Sequence, residues 1–575
     1  MDETKKDRTA AGDVRTRDRA GTERPTLWQP GFFAAALAGI VVVGLALAVA
    51  ELVSILGDRT QVLNQFSSPL LAVGAAFITL TPEWLKQFAI ATFGESDKIA
   101  LQVGMGVTVF VLAAVIGLVA RRSPRIAAVM LAVFVAICGV AVLTRPADVG
   151  PLDLIPSIIG GVVGIAVLGL LFRRTALDAE TRAALLKERE EQEKGNGPAD
   201  PREYPTERRA TPAMDSALAR RRFLGLVGIT AAAAAAATAV GRFLPSSADV
   251  NASRDALQVP TASPQTFEGG VTLDTIDQAV EGQEPFLTPN ADFYRIDTAL
   301  TLPNITAEDW SLRIHGLVDK ERTLTYDELL QLEQVERTIT LTCVSNEVGG
   351  SLVGTATWIG TPLEPLLTDV GPSADADCVL CTSIDGFTLT APLEALTDGR
   401  DALLAVAMNG EILPQRNGFP VRMVVPGLYG FVSATKWIVD MKVSKFADEA
   451  AYWTQRGWAQ EAPIKTASRI DVPRGISQAT AGDEVVIAGV AWAQTRGIGS
   501  VEIQIDGGDW QQVELSPALS KDTWRQWRTT WVAEAGVHTI RCRAYDDAGE
   551  LQIEEMVAPI PNGSSGYDSR SITVA

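Results

Sequence analysis

The hydrophobic residues of this 575-residue chain are concentrated in five uncharged segments, each about 20 residues long. These segments are Gly31–Ala50, Ile99–Ala120, Ile126–Thr144, Leu154–Phe172 and Phe223–Gly241. A helix rises about 1.5 Å per residue, so each segment could cross a hydrocarbon core roughly 30 Å thick. None has the polar stripe expected of a helix in a water-soluble domain. The pattern therefore predicts five membrane spans.

A sixth apolar segment, Pro69–Thr81, is ambiguous because Pro82, Glu83 and Lys86 follow it at once. The basic residues between Lys5 and Arg24 place the N-terminus in the cytoplasm by the positive-inside rule. The later clusters Arg121–Arg125 and Arg173–Arg174 also stay inside only if Pro69–Thr81 does not span. We therefore predict a re-entrant or interfacial segment, five spans, and an extracytoplasmic C-terminal half.

A charged stretch separates the fourth span from the fifth. Glu180–Lys194 is predicted as a helical linker that runs into a disordered piece, Gly195–Pro212. The fifth span opens with Arg220–Leu224, whose sequence RRRFL resembles a twin-arginine export signal. The alternative is an ordinary positive-inside stop signal, which three arginines alone would satisfy.

The second half of the chain has short alternating apolar runs broken by Gly, Pro, Asp and Asn, which predicts an α+β domain with mixed sheets. From about Gly457 onward, evenly spaced strand patterns predict a β-sandwich. The predicted order is a tail 1–30, a membrane domain 31–174, a cytoplasmic linker 175–222, a signal-anchor span 223–244, the α+β domain 245–456 and the sandwich 457–575.

Charge and composition exclude several classes of function. The formal charge of −19 disfavours nucleic acid as a partner, because phosphate binding needs a basic surface. The only histidines are His315 and His538, so the apolar half cannot hold a bis-histidine haem and the chain cannot build a His₃ zinc site. Five scattered cysteines do not form a disulfide framework, and the strand pair Cys378 and Cys381 is interpreted as core packing.

Cys343 is the most informative cysteine. It follows the alternating strand Thr338–Thr342 and opens a polar loop, Val344–Gly350, which ends in two glycines. A thiol at a strand end, beside glycines, can approach a bulky ligand closely. An ordinary half-buried cysteine would give the same local pattern, so the downstream context has to decide.

That context is a series of short motifs in fixed order, namely Trp358–Leu363 (WIGTPL), Leu404–Gly410 (LAVAMNG), Asn417–Arg422 (NGFPVR), Val425–Gly427 (VPG) and Lys436–Trp437 (KW). With Cys343 and Asn346 as a C-x-x-N element, the sequence from about Phe286 to Val574 resembles the sulfite oxidase family of molybdopterin oxidoreductases. The resemblance implies a molybdenum–molybdopterin cofactor. It also implies a C-terminal immunoglobulin-like domain through which a homodimer could form.

The resemblance also implies roles for individual residues. Cys343 would ligate molybdenum, and a thiolate suits a metal that is already held by sulfur. Arg422 and Lys436 would bind the pterin phosphate. The remaining expected cofactor-binding residues are Asn290, Tyr294, Asp385, Asn417 and Ser433. For Arg422 an exposed strand arginine, and for Asp385 a plain turn, are the alternatives that the residues alone leave open.

Arg295, Asn346 and Glu347 are the further candidates for the catalytic site, and two of them mark departures from the family. Glu347 and Val348 stand where sulfite oxidases have two arginines, and Val406 replaces an active-site tyrosine. The anion-binding arginine has only Arg295 or Ile296 in its place. Glu347 would repel a doubly charged sulfite, which disfavours that substrate. Asn417 matches the periplasmic methionine-sulfoxide reductases of the same superfamily.

Together these features predict a multi-pass inner-membrane protein with an extracytoplasmic molybdopterin oxidoreductase domain. It would transfer an oxygen atom to or from a small substrate. Because the spans lack haem-binding histidines, electrons would pass to or from an external carrier, such as a cytochrome or a quinone-linked protein. The alternatives are a sulfoxide reductase, or a non-catalytic membrane-anchored interaction module that retains the fold.

Overall fold

The computed structural model describes residues 30–59, 62–63, 67–81, 97–144, 150–172, 212–243, 247–267, 271–299, 301–474 and 478–575. The predicted N-terminal tail and the linker segment Glu180–Lys194 lie outside the described residues, as do Arg173 and Arg174. Two compact units are present, one drawn from the N-terminal helices and one containing Phe243–Ala575.

The first unit is helical throughout its described part. Its helices are α1 (Phe32–Arg59), α2 (Pro69–Leu80), α3 (Asp97–Arg122), α4 (Pro124–Leu143), α5 (Ile155–Phe172, after a 3₁₀ turn Pro151–Leu154) and α6 (Pro212–Phe243). Five helical segments, in α1, α3, α4, α5 with its preceding turn, and α6, are long and apolar enough to cross a membrane by length and composition. Helix α2 has 12 residues and is about 18 Å long, shorter than the hydrocarbon core.

Small residues allow the helices of this unit to approach closely. Gly39 of α1 faces Gly117 of α3, and a Cβ on either glycine would overlap the backbone of the other helix. Gly160 of α5 lies against Ala46 and Ala50 of α1 in the same way. In a lipid bilayer the hydrophobic effect does not drive helices together. Small residues at the interface instead let the helix backbones pack closely.

Glu51, near the end of α1, fixes the start of α2. Its Oε1 accepts hydrogen bonds from the Ser68 hydroxyl at 2.8 Å and from the Leu70 backbone N–H at 3.2 Å. A carboxylate at a helix N-terminus satisfies N–H groups that have no partner within the helix and complements the helix dipole. The contact ties the short helix to the long one.

The second unit begins with short helices and two sheets. The helices are α7 (Ser247–Ala256), α8 (Leu273–Ile276), α9 (Tyr326–Gln331), α10 (Leu363–Val370) and α11 (Leu393–Thr397). Helix α9 begins with a capping box, in which Thr325 and Glu328 bond each other's backbone N–H groups. Helix α10 ends at Gly371, whose φ of 67° is readily adopted by glycine.

The strands of these two sheets are β1 (Ser311–Gly316), β2 (Arg322–Thr325), β3 (Val335–Thr342), β4 (Val353–Pro362), β5 (Cys378–Ser383), β6 (Thr388–Pro392), β7 (Leu403–Met408), β8 (Glu411–Ile412), β9 (Arg422–Val424) and β10 (Ile438–Ser444). One sheet has the order β3-β4-β7-β8, with β9 paired to β7. The other has the order β2-β1-β10-β5-β6, with β1 and β10 parallel. Cys343 follows β3, Arg422 opens β9 and Lys436 precedes β10, so both sheets contribute candidate residues.

The C-terminal part is built from β11 (Ala467–Val472), β12 (Gln478–Ala479), β13 (Glu484–Trp492), β14 (Ile498–Ile505), β15 (Gln511–Gln512), β16 (Glu514–Leu515), β17 (Arg525–Val532), β18 (Gly536–Asp546) and β19 (Ser569–Val574). Its sheets, β11-β13-β17-β16 and β12-β19-β18-β14-β15, enclose a shared apolar core and form a β-sandwich. Trp492 and Trp524 of the sandwich belong to the core of the preceding domain. The immunoglobulin-like description stays a prediction.

Candidate active site

A cleft of about 900 Å³ opens beside Cys343 in the second unit. Its lining residues are Phe293, Tyr294, Ile296, Asp297, Thr298, Cys343, Val344, Ser345, Ser383, Asp385, Phe387, Arg416, Asn417, Arg422, Gly430, Phe431, Ala434, Lys436, Trp437, Trp453 and Trp458. The cleft therefore brings together six of the expected site residues, from segments far apart in sequence. They are Tyr294, Cys343, Asp385, Asn417, Arg422 and Lys436.

Cys343 lies directly after β3 and is 7% exposed. Its backbone N–H donates to Leu352 O at 2.9 Å, and its carbonyl accepts from the Asn346 N–H at 3.0 Å, so the loop turns tightly behind it. Burial raises the pKa of the Cys343 thiol, whereas Ser345 and the positive charge of Lys436 act in the opposite direction. A bound metal would reverse this balance, because a coordinating thiol is deprotonated.

Arg422 is a buried cation on one wall of the cleft. Its guanidinium carbon lies 4.8 Å from the centroid of the Trp358 ring, and its Nη1 donates to Asn417 O at 3.1 Å. Burial lowers the pKa of Arg422 to about 10. The side chain is charged at neutral pH and has no carboxylate partner in the described contacts, so it is suited to an anionic ligand.

Lys436 is paired within the protein. Its Nζ donates to Asp297 Oδ2 at 2.6 Å, and Arg295 Nε donates to the same oxygen at 2.8 Å. Burial lowers the pKa of Lys436 to about 8, with Asp297 opposing the shift. Arg295 is outside the residues that line the cleft, so its charge is directed to Asp297 and not to the opening.

Two other expected residues line the cleft. The Tyr294 ring stacks on Phe293, with centroids 5.2 Å apart, and burial raises the pKa of its phenol. Asp385 accepts the Phe387 N–H at 3.1 Å, as expected of a turn, and burial raises the pKa of its carboxyl group. A protonated carboxyl group could donate a hydrogen bond to a ligand, whereas an ionised one could only accept.

Besides Arg295, four further expected residues lie outside the cleft. Ser433 donates its hydroxyl to Leu428 O and Tyr429 O, both at 3.0 Å. Asn346 is buried and accepts the Leu352 N–H at 2.8 Å, while Glu347 is exposed.

Asn290, the fourth residue, stabilises the turn of the LAVAMNG motif. Its Oδ1 accepts from Asn409 Nδ2 at 2.9 Å, and its Nδ2 donates to Met408 O at 3.2 Å. Its side chain is thus satisfied by the protein itself.

Local sequence patterns do not mark several of the lining residues. Asp297, which holds both Lys436 and Arg295, is one of them. Trp453 and Trp458 lie well downstream of the GFPVR and KW elements and contact each other with ring centroids 6.1 Å apart. Phe431 contacts Trp458 at 5.7 Å. Such aromatic residues are indistinguishable from core residues in a single sequence.

Part of the chain matches a known family. Residues 299–453 match the family described as oxidoreductase molybdopterin binding domain. Human mitochondrial sulfite oxidase is 28% identical over 330 residues, which span 48% of this chain and 59% of that protein.

Residues 299–453 form a molybdopterin-binding oxidoreductase domain, and the chain is similar to the sulfite oxidases.

Another relative and a solved structure are also similar to it. The catalytic subunit MsrP of a protein-methionine-sulfoxide reductase from Xanthomonas campestris is 31% identical over 191 residues, 29% of this chain and 56% of its own length. The chain thus spans less than two thirds of these curated relatives. The crystal structure of the sulfane dehydrogenase SoxCD from Paracoccus pantotrophus aligns with a TM-score of 0.44 at 20% identity, covering 55% of this chain and 91% of that one.

The matched domain implies a molybdenum–molybdopterin cofactor, and the residues of the cleft fit it. Within the described part of the chain, no group of three or more His, Cys, Asp or Glu could hold a metal alone, so a metal at Cys343 needs ligands from a cofactor. Arg422 Nε and Asn417 Oδ1 are buried and have no hydrogen-bond partner. A buried polar atom left in this way costs about 1–3 kcal/mol, which a bound ligand can recover.

Proposed function

We propose that this protein is a membrane-anchored, extracytoplasmic oxidoreductase that transfers an oxygen atom to or from a small substrate. The observation that carries the proposal is the meeting of Cys343, Asn417, Arg422 and Lys436 in one cleft. These residues supply a soft thiolate ligand, an amide and two cations, which together suit a metal held by a phosphorylated pterin.

Each residue has a distinct task in this proposal. The molybdenum–molybdopterin group supplies two-electron oxygen-atom chemistry when it is bound. Cys343 fixes the position of the metal, while Arg422 and Lys436 bind the pterin phosphate. Asn417, Tyr294 and Asp385 orient the pterin by hydrogen bonds. The aromatic residues at the other wall exclude water and position the substrate.

The membrane association is supported by the five long apolar helices. Arg220, Arg221 and Arg222 are exposed at the start of the segment in α6 that could span, where a twin-arginine signal would be read. This route exports folded proteins, which suits a domain that takes up its cofactor in the cytoplasm. Electrons would then be exchanged outside with a separate carrier, such as a cytochrome or a quinone-linked protein.

Turnover of the detergent-purified chain tests the proposed activity. One arm supplies sulfite and a one-electron acceptor, and the other supplies a chemical reductant and a panel of sulfoxides. We expect turnover in one arm that depends on molybdenum in the growth medium. A metal-loaded protein that is inactive in both arms would contradict oxygen-atom transfer to these substrates. Absence of molybdenum despite an intact Cys343 would favour the interaction module.

Location is tested separately with reporter fusions. A fusion after Phe172 should be cytoplasmic, and one after Leu244 should be extracytoplasmic. Swapped locations would overturn the charge argument for five spans.

Sulfoxide reduction is the second candidate, and the cleft favours it over sulfite oxidation. Asp297 neutralises Lys436 and Arg295. Phe431, Trp453 and Trp458 make one wall of the cleft apolar. A dianion needs convergent unpaired cations, whereas a neutral sulfoxide needs an apolar wall and a hydrogen-bond donor. In this reaction two electrons and two protons convert the sulfoxide to a thioether and water.

Competition between substrates distinguishes the two directions. Reductant-driven turnover of sulfoxides that is insensitive to millimolar sulfate would support the second candidate. Turnover only with sulfite and an acceptor would exclude it.

A further inference from the structure

The strand that leads to Cys343 is held at its free edge by the C-terminal sandwich. Strand β3 is an edge strand, so one side of its backbone has no partner within its own sheet. The Thr340 N–H donates to Asp522 O at 2.9 Å, and Gln494 Nε2 donates to Thr340 O at 3.0 Å. Gln494 Nε2 also lies 3.2 Å from the Thr342 hydroxyl, one residue before the cysteine.

The loop behind Cys343 is held by the same domain. Three of its carbonyl oxygens accept hydrogen bonds from sandwich side chains. Ser564 Oγ donates to Asn346 O at 2.6 Å, Arg570 Nη2 to Gly349 O at 3.2 Å, and Arg469 Nη1 to Gly350 O at 3.0 Å. Hydrogen bonds to the sandwich therefore hold the loop between Asn346 and Gly350, after the thiol.

The groups that make these contacts are themselves fixed. Arg469 is 5% exposed and donates to Asp471 at 2.6 Å. The Asp568 carboxylate accepts the Ile470 N–H at 2.9 Å and lies so close to Gly349 that a Cβ there would meet it at 2.4 Å. Gly349, with φ of 73°, thus permits the approach of the sandwich to the loop.

We propose that the C-terminal sandwich sets the position of the Cys343 thiol, with Gln494 holding the strand before it and Ser564 and Arg469 holding the loop behind it. These three are positioning residues, since they act through the backbone that carries the thiol. The inference rests on the proposed role of Cys343 as the molybdenum ligand. The family resemblance implies dimerisation for this domain, and dimerisation would not require contact with this loop. Positioning of the thiol would therefore be a second role of the domain.

Thiol accessibility in the cofactor-free full-length chain gives the first test. Loss of one hydrogen bond, worth about 1 kcal/mol, should raise the open population of the loop about fivefold. We therefore expect Ser564→Ala to speed maleimide labelling of Cys343 about fivefold, and Ser564→Thr to restore the slow rate. Ser569→Ala removes an exposed serine from β19 and serves as the matched control, with an unchanged rate.

The loaded enzyme gives the second test. Because thiolate orientation affects the electronic structure of the metal, Ser564→Ala and Arg469→Lys should shift its reduction potential and the electron paramagnetic resonance spectrum of its partially reduced form. Metal content should equal that of the wild type. Should Arg469→Lys fail to fold, Ser564→Ala carries both measurements, since its hydroxyl is only half-buried.

The outcomes separate this proposal from the proposed function. Wild-type labelling rates and spectra in both variants would overturn the positioning role. A wild-type protein that never binds molybdenum would instead contradict the proposed function, while the labelling result would still decide whether the sandwich holds the loop.

Discussion

The cleft has two unlike walls. The polar wall consists of Asn417, Arg422 and Lys436, and each of these residues is at least mostly buried. The aromatic wall consists of Phe431, Trp453 and Trp458. The Trp458 ring contacts Phe431 at a tilt and Trp453 in a T-shaped arrangement. One wall is built to hold an anion and the other to exclude water.

The polar wall and the aromatic wall suit different ligands. Arg422 and Asn417 each have a buried polar atom without a partner, so the polar wall is incomplete without a ligand. The aromatic wall carries no charge, and Trp458 Nε1 is its buried polar atom without a hydrogen-bond partner, a group that can only donate. Under the proposed function the pterin would lie at the polar wall, which carries the cations, and the substrate at the aromatic wall.

The largest expected effect is on cofactor retention. Arg422→Gln removes a charged partner worth about 1.5–3 kcal/mol, so affinity for the cofactor should fall about 10–100-fold. The cofactor-free fold should not lose stability, because the variant no longer buries an uncompensated charge. Molybdenum per chain after gel filtration measures the first effect, and thermal unfolding measures the second. Arg528→Gln, at an exposed ion pair of the sandwich, is the control.

The next effect concerns anions. Asp297→Asn leaves Lys436 and Arg295 without their carboxylate, so inhibition by sulfate should strengthen by roughly 10-fold. Asp375→Asn changes an exposed carboxylate on another surface and should leave inhibition unaltered. If Asp297→Asn folds but its inhibition constant is that of the wild type, Asp297 does not control the charge of the cleft.

A smaller effect is expected at the aromatic wall. Trp453→Ala should raise the KM for an aryl methyl sulfoxide about 5–10-fold, because an aromatic contact and apolar area are lost. The KM for dimethyl sulfoxide and both kcat values should change little. Trp510→Ala, on the sandwich, is the matched control. A change in kcat alone would place Trp453 beside the reacting atoms and not at a substrate side chain.

The smallest effect is a pH dependence of the cofactor-free fold. Burial lowers the pKa of Lys436 to about 8, below its value in the unfolded chain. Between these two pKa values the unfolded state binds more protons, so stability should rise as pH increases from about 8 to 10. Lys436→Met should remove this rise from the thermal unfolding curve. An identical pH profile in both proteins would contradict the lowered pKa.

Much of the fold follows from patterns along the chain. The uncharged 20-residue segments correspond to helices, and the strand patterns from about Gly457 onward correspond to strands β11 to β19. Most of the segment Pro69–Thr81 is the 12-residue helix α2, and its re-entrant or interfacial placement stays a prediction. Placement of Glu51 against that helix was not predictable, since a carboxylate near the end of a span has no local pattern.

The site was less predictable than the fold. Asn346 and Glu347 are expected in the site because they follow Cys343 closely in the motif. A tight turn after Cys343 instead directs Asn346 into its own loop and leaves Glu347 exposed. Asp297, Trp453 and Trp458 join the cleft through tertiary packing of segments more than a hundred residues apart. No local pattern encodes that convergence, because each residue type is equally common in ordinary cores and surfaces.

The proposed molybdenum site is tested by the molybdenum content per chain, measured on the detergent-purified wild type beside Cys343→Ser. We expect close to one metal in the wild type, with pterin retained but activity lost in the serine variant. Absence of metal from wild-type protein made in a host that produces the cofactor would contradict the proposed site.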